Sequence, residues 1–353
     1  MGQLSRILLG GSIITLTVLP LPQYNAIWPL YAAVILSIPN IVHDVRARGF
    51  GPRLIWAAFG LLLAPALAHA VITPSVDNTI GFFVLASLPP LYLAARAHGP
   101  RLWLIFPITA IIEAVYMLVL RAIDPHPSYG GFMSIAHYSC FVIVCGMMVA
   151  REGRLKWALW TIGPAAILVS GSEEGLLFLA TAAGAVVWRR WFDAPALAAL
   201  VSILITLAII LPTGHFTETH HKLTAERFES IGDATNHRST GISDNIGMSW
   251  IVGDGWHWDT QGGIHQTVHN APLKMMSQYG IPAAAGVLAF LLWGFMRHPS
   301  DRRFCLAAVV LSAAMVDHFL VDLLLPWPFF MAGLYVSESL DKHLIVARAP
   351  KRA

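Results

Sequence analysis

Charged residues are scarce in this chain. Asp, Glu, Lys and Arg make up 12% of its 353 residues, about half the share of an ordinary soluble domain, which excludes a well-solvated globular surface. Cysteine is scarce too. Cys140, Cys145 and Cys305 all fall inside apolar runs and no CxxC pair occurs, so neither a disulfide framework nor a cysteine metal site is expected, and the three read as packing residues. No self-similarity at a period of about 20 to 50 residues is present, which excludes a repeat array. The first apolar run follows Arg6 but lacks a small-x-small cleavage pattern and ends in Pro20-Leu21-Pro22, so a cleaved secretory signal is not expected.

What the chain has in abundance is apolar sequence. Hydrophobic residues reach 56% and the mean hydropathy is +0.63, the composition of an integral membrane protein. A crossing needs about 20 mostly apolar residues, because a helix rises about 1.5 Å per residue and the hydrocarbon core is about 30 Å thick. Apolar runs lie near 7–21, 26–42, 54–72, 80–95, 102–120, 131–150, 155–170, 175–188, 195–212, 271–296, 303–322 and 325–341. The expected fold is therefore all-α: one polytopic membrane domain over 1–353 with about twelve transmembrane helices. A single large loop, 213–268, separates segments nine and ten.

Basic residues set the orientation. With a cytoplasmic N-terminus, inward-facing segments hold Arg6, Arg46, Arg48, Arg53, Arg96, Arg101, Arg151, Arg154, Lys156, Arg189, Arg190, Arg297, Arg302, Arg303, Lys342, Arg348, Lys351 and Arg352. Arg121, Lys222, Arg227, Arg238 and Lys274 are left outside. Cytoplasmic loops carry the excess of Lys and Arg in membrane proteins, so both termini are expected inside and the large loop outside. That compartment has no nucleotide supply. The net charge of +3 follows from this bias and from contact with anionic membrane lipid, and no nucleic-acid partner is expected.

The loop is too long and too polar to be a plain connector. Residues 213–269 carry seven histidines, a short helical stretch near 223–231, and turns at Gly232-Asp233, Gly241, Gly253-Asp254-Gly255 and Gly262-Gly263. Its piece Ser249 to Val252 is apolar enough to touch the bilayer or the bundle. The loop leads into a membrane helix through His269-Asn270. Asn270 suits an N-cap, and Pro272 falls in the first turn, where its missing N–H costs nothing. That helix start, with Lys274 in its first turn, is a plausible anion site, to which Arg227 and Arg238 add planar, bidentate donors.

These residues suit one reaction. Transfer of a sugar from a diphosphate-linked carrier needs a base for the acceptor hydroxyl and cations for the departing diphosphate. A neutral His269 supplies the first, and adjacent cations favour its neutral form. Arg227, Arg238 and Lys274 supply the second, and no metal or other cofactor is required.

The chain resembles the O-antigen ligase and O-antigen polymerase-like membrane glycosyltransferases. The resemblance rests on Ser170-Gly171-Ser172 opening a late helix, a large loop with Arg227 and Arg238, the turn Gly253-Asp254-Gly255, and His269-Asn270-Ala271-Pro272-Leu273 followed by Tyr279-Gly280-Ile281. It covers roughly residues 160 to 335. It implies a bacterial cytoplasmic-membrane enzyme with a periplasmic active site and an undecaprenyl-diphosphate-linked glycan donor. The acceptor would be lipid A core, a growing polysaccharide or a protein, and polysaccharide export or assembly proteins are implied partners. His269 would be the catalytic histidine, with Arg227 or Arg238 on the diphosphate. Family members commonly place Arg after the Ser-Gly-Ser element, whereas this chain has Glu173-Glu174.

Plainer roles stand beside these. Glu173 and Glu174 suit the first turn of a helix capped by Ser172, where the helix dipole stabilises carboxylates. Trp250, Trp256 and Trp258 suit a membrane interface as well as a sugar platform. His220, His221, His257 and His265 lack metal-ligand spacing. Glu113 lies mid-span and should face the bundle interior, since a lipid-facing carboxylate costs about 3 kcal/mol. Asp317, His318 and Asp322 end the eleventh segment, where they, with Asn270, Glu173 and Glu174, are candidates to line the same cavity as His269. An alternative reading is a proton-coupled secondary transporter using Glu113, Asp317 and His318; a third is a non-catalytic partner in a polysaccharide export complex.

Overall fold

The computed structural model describes residues 2–18, 23–123, 136–150, 153–170, 172–189, 205, 251–256, 270–297, 300–316, 320 and 326–348. These are α-helical apart from short turns. In chain order they form α1 (Gly2–Val18), α2 (Gln23–Arg48), α3 (Arg53–Ile72), α4 (Val76–Ala86), α5 (Leu88–His98), a 3-10 turn (Pro100–Leu104) and α6 (Ile105–Ile123). Then follow α7 (Ala136–Val149), α8 (Arg154–Ser170), α9 (Glu173–Trp188), α10 (Ala271–Met296), α11 (Asp301–Val316) and α12 (Pro326–Arg348). Of the segment expected at 195–212 only residue 205 is described, and 206–250 and 257–269 lie outside the described residues.

Among the described residues, four stretches are long and apolar enough to cross a membrane: Arg53–Ile72, Val76–His98, Pro100–Ile123 and Ala271–Gly294. The second is not one straight rod. Ser75 caps α4 by accepting from the Asn78 amide at 3.0 Å. The helix then breaks at Ser87, where Pro89 and Pro90 have no N–H to continue the ladder. Gly99 (φ 75) ends α5 and Pro100 opens the 3-10 turn that leads into α6.

Small residues let the helices approach. α3 packs on α10, α5 on α12 and α6 on α7, each through a glycine. A Cβ on Gly286 of α10 would stand 2.9 Å from the Ala58 carbonyl oxygen; on Gly333 of α12 it would overlap the Tyr92 carbonyl, and on Gly146 of α7 the Ala110 methyl. This is how helices associate where lipid competes equally for apolar surface. Large apolar side chains such as Val71, Ile72, Phe83 and Val119 face outward, as lipid-facing residues should.

Polar contacts sort to the two ends of the bundle. At one end Arg96, fully buried, donates through Nε to Asp44 at 2.6 Å and through Nη2 to the Gly49 carbonyl at 2.7 Å. There too His98 meets Ser37 at 2.9 Å, Arg189 binds Asp301 at 2.7 Å, and Arg303 binds Glu338 at 2.9 Å. Arg6, Arg46, Arg48, Arg53, Arg101, Arg154, Arg297 and Arg302 share this end through their places on the antiparallel helices. Among the described residues, the opposite end carries Arg121 and Lys274 as its Lys and Arg. The helix order thus puts the scaffold's positive charge on one side.

Candidate functional site

The start of α10 forms as its sequence dictates. Asn270 is extended (φ −164) and its Oδ1 accepts from the Leu273 amide at 3.0 Å, while its Nδ2 donates to the Met315 carbonyl of α11 at 2.9 Å. The cap is therefore also a tie between helices. Lys274 N bonds the Asn270 carbonyl at 2.9 Å and Pro272 has no N–H. Ala271 is left as the first-turn amide taken up by neither cap nor helix. Any attraction for an anion at this helix start comes mainly from the dipole and from Lys274, whose side chain is buried.

Two turns further on, α10 is broken. Gly280 has φ 76 and ψ −177, a conformation essentially confined to glycine. Pro282 lies four residues after Gln278 and has no N–H to offer its carbonyl. The Gly253–Trp256 turn fills the break: Asp254 N donates to the Ser277 carbonyl and Gly255 N to the Gln278 carbonyl, both at 2.8 Å. The approach is backbone on backbone. A Cβ on Gly280 would overlap the Ile251 carbonyl, and one on Gly253 would overlap the backbone at Gln278 and Tyr279.

The hairpin of α3 and α4 clasps the other side of this turn. Asn78, buried in α4, accepts the Trp256 amide on Oδ1 at 2.8 Å and donates through Nδ2 to the Thr73 carbonyl at 2.8 Å. His69 places Nε2 at 2.7 Å from the Val252 carbonyl. A carbonyl only accepts, so this imidazole carries a proton on Nε2. Tyr279, fully buried, packs beside the rings of His69 and Trp256, and Gly81 leaves the space its hydroxyl occupies. Val252 thus meets the bundle through its backbone, while its side chain and that of Ile251 are exposed; Ser249 and Trp250 lie outside the described residues.

Ser170 and Ser172 lie at the same end. Ser172 caps α9 by accepting from Gly175 N at 3.0 Å, and Ser170 Oγ accepts from Ser172 N at 3.1 Å. Arg121, from the end of α6, donates to the Ser170 carbonyl at 2.7 Å, and Cys140 Sγ stands 3.3 Å from Ser170 Oγ. Glu174 occupies the first turn of α9, where the dipole favours a carboxylate. Glu113 is buried inside the bundle with Ser139 as a hydrogen-bond partner. α11 stands between the two helix heads, meeting α9 at Thr181 and Ser312 and α10 at Met315 and Asn270.

Of the residues singled out by sequence, Asn270, Lys274 and Glu174 are therefore placed at one end of the bundle. His269, Arg227, Arg238, Asp317, His318 and Asp322 lie outside the described residues, as does the side chain of Glu173. His69, Asn78 and Arg121 received no site role from sequence. The available signal was their polarity inside or at the rim of apolar helices, which is costly in a membrane unless partnered. Among the described residues no three His, Cys, Asp or Glu converge to hold a metal. Two clefts among α10, α11 and α12, about 10 and 30 Å3 in volume, are lined chiefly by apolar side chains such as Ala271, Phe290 and Phe329 and would hold little more than a water.

No protein-family model matches the chain, and no curated protein sequence matches it significantly.

Proposed function

We propose that this protein is a membrane glycosyltransferase of about twelve spans that moves a lipid-diphosphate-linked glycan onto an acceptor hydroxyl, outside the bacterial cytoplasmic membrane. The observation that carries the reading is the double use of Asn270. Its two side-chain bonds fix the first residue after His269 at the head of α10, with Lys274 one turn on. The sorting of basic residues to the opposite end supports an outward-facing position for this helix head, with both termini cytoplasmic.

In this reading His269 accepts the proton of the acceptor hydroxyl while its oxygen attacks the anomeric carbon of the donor. The bond from that carbon to the diphosphate breaks, and the lipid diphosphate leaves with the electron pair. Arg227, Arg238 and Lys274 stabilise the charge that develops on it. The resemblance to O-antigen ligases and polymerases supports undecaprenyl diphosphate as the carrier.

His269→Ala, checked for membrane insertion, should cause the lipid-linked glycan to accumulate in membranes extracted from cells that depend on this protein. Normal consumption of that precursor would overturn the proposal. Glu113, buried mid-span beside Ser139, is what a proton-coupled transporter would use instead. In that case Glu113→Gln, and not His269→Ala, would abolish function.

A further inference from the structure

Every residue of α7 from Tyr138 to Val149 is buried, and α6 and α8 flank it. These two also pack on each other, and both start at the basic end of the bundle, so they run parallel. With α7 behind them, their outward sides form one groove that faces lipid. At the basic end that groove carries two exposed arginines. Residues i and i+3 of a 3-10 turn eclipse, so Arg101 stands in line with Leu104 and heads the exposed apolar stripe of Leu104, Ile108 and Ile112 on α6. On α8, Arg154, Trp157 and Thr161 recur at helical spacing and share one exposed face.

α7 sets the two arginines at one level. A Cβ on Gly146 would stand 3.0 Å from the Phe106 carbonyl oxygen of α6, and Trp160 Nε1 of α8 donates to the adjoining Met147 carbonyl at 2.8 Å. Arg101 precedes Phe106 by five residues and Arg154 precedes Trp160 by six, each about 9 Å along its helix. Packed helices lie about 8–10 Å apart, a gap that two arginine side chains can close from either side of a phosphate. Their charge is not cancelled by the carboxylates whose side chains are described at this end. Asp44 is held by Arg96 and Arg48, Asp301 by Arg189 and Glu338 by Arg303. Arg151 and Glu152, outside the described residues, add no net charge.

We propose that the groove between α6 and α8 is a binding site for one anionic phospholipid, its phosphate between Arg101 and Arg154 and its acyl chains along Leu104, Ile108 and Trp157. Both parts of the groove argue for this partner. Guanidinium forks match the oxygens of a phosphate, and the apolar stripe below them suits acyl chains, which a soluble phosphate lacks. A zwitterionic headgroup brings a cation of its own toward the arginines, which the site disfavours. The indole of Trp157 falls one turn below Arg154, where a membrane interface places such rings. The site depends on helices that cross a membrane and not on the transfer reaction.

The test titrates full-length protein in a neutral detergent with phosphatidylglycerol or phosphatidylcholine of equal chain length and counts bound lipid by native mass spectrometry. Phosphatidylglycerol should bind the more tightly. Arg101→Gln combined with Arg154→Gln should weaken it about thirtyfold, about fivefold for each arginine, and leave phosphatidylcholine unchanged. Arg46→Gln combined with Arg297→Gln removes the same charge from exposed positions of α2 and α10 at the same end, and should leave the phosphatidylglycerol affinity nearly as it was. An equal loss in that control would overturn the site in favour of diffuse attraction to the whole basic face. Wild-type protein that binds both lipids alike would overturn it too, as would phosphatidylcholine lost together with phosphatidylglycerol. Excess glycerol phosphate should not displace the lipid; displacement would make a free phosphate the occupant and refute the lipid site.

Discussion

Gly280→Ala is the substitution that most directly probes the broken helix. Alanine at φ 76 and ψ −177 costs about 1–3 kcal/mol in backbone strain alone. Its methyl would also overlap the Ile251 carbonyl oxygen and come within 2.6 Å of the Ile251 carbonyl carbon, so the docked turn must move. The two bonds from Asp254 and Gly255 to α10 are then lost, at about 1 kcal/mol each. Together these predict a loss of about 3–5 kcal/mol. The control is Gly294→Ala in the same helix, where a Cβ meets nothing within 4 Å and the better helix former should be neutral or gain up to about 1 kcal/mol. Unfolding of both purified variants in mixed micelles, followed by helical circular dichroism against denaturing detergent, measures the difference. Equal stability of the two variants would refute the argument that the break and the docked turn depend on each other.

Other consequences are as specific. Arg96→Met should destabilise the protein by up to about 3–5 kcal/mol, because Asp44 then keeps only the longer contact to Arg48 at 3.6 Å, and Asp44→Asn combined with it should recover part of the loss; additivity of the two in the same unfolding assay would argue against a coupled pair. The native cysteines are all buried, so an added one can be labelled against a low background. In intact cells Val76→Cys, at the exposed start of α4, should react with an impermeant maleimide, and Arg101→Cys should react only after permeabilisation; the reverse pattern would invert the orientation.

How far the sequence carried the fold is clearest at α10. Asn270, Pro272 and the apolar run after them gave a helix over 271–296, and the helix is Ala271–Met296, because its start depends on local capping and its length on composition. The run at 80–95 was read as one segment and is two helices about Ser87. Pro89 and Pro90 were the local signal for that break, but apolar composition runs through it. Gly280 followed by Pro282 likewise marked a weak point in α10 without saying what would fill it. The docking of Gly253–Trp256 onto α10 was not legible, since it joins residues far apart in the chain through backbone atoms that every residue shares. Asn78 and His69 belong to the same class: each looks like an isolated polar residue until its distant partner is known. Of the site, the cap at Asn270 and the first-turn place of Glu174 were readable because both are local to a helix end.

The turn docked on α10 bears on how such a protein can diversify. Asp254 and Gly255 bond the Ser277 and Gln278 carbonyls through backbone N–H groups, and His69 of α3 and Asn78 of α4 hold the same stretch of chain. These contacts use only residues 251–256 and the helices. Sequence before Ile251 can therefore change without altering a bond that holds the turn, and a change in loop length adds only a slowly growing closure cost. The docking of the turn and the composition of the polar loop are open to separate change, by evolution or by an engineer.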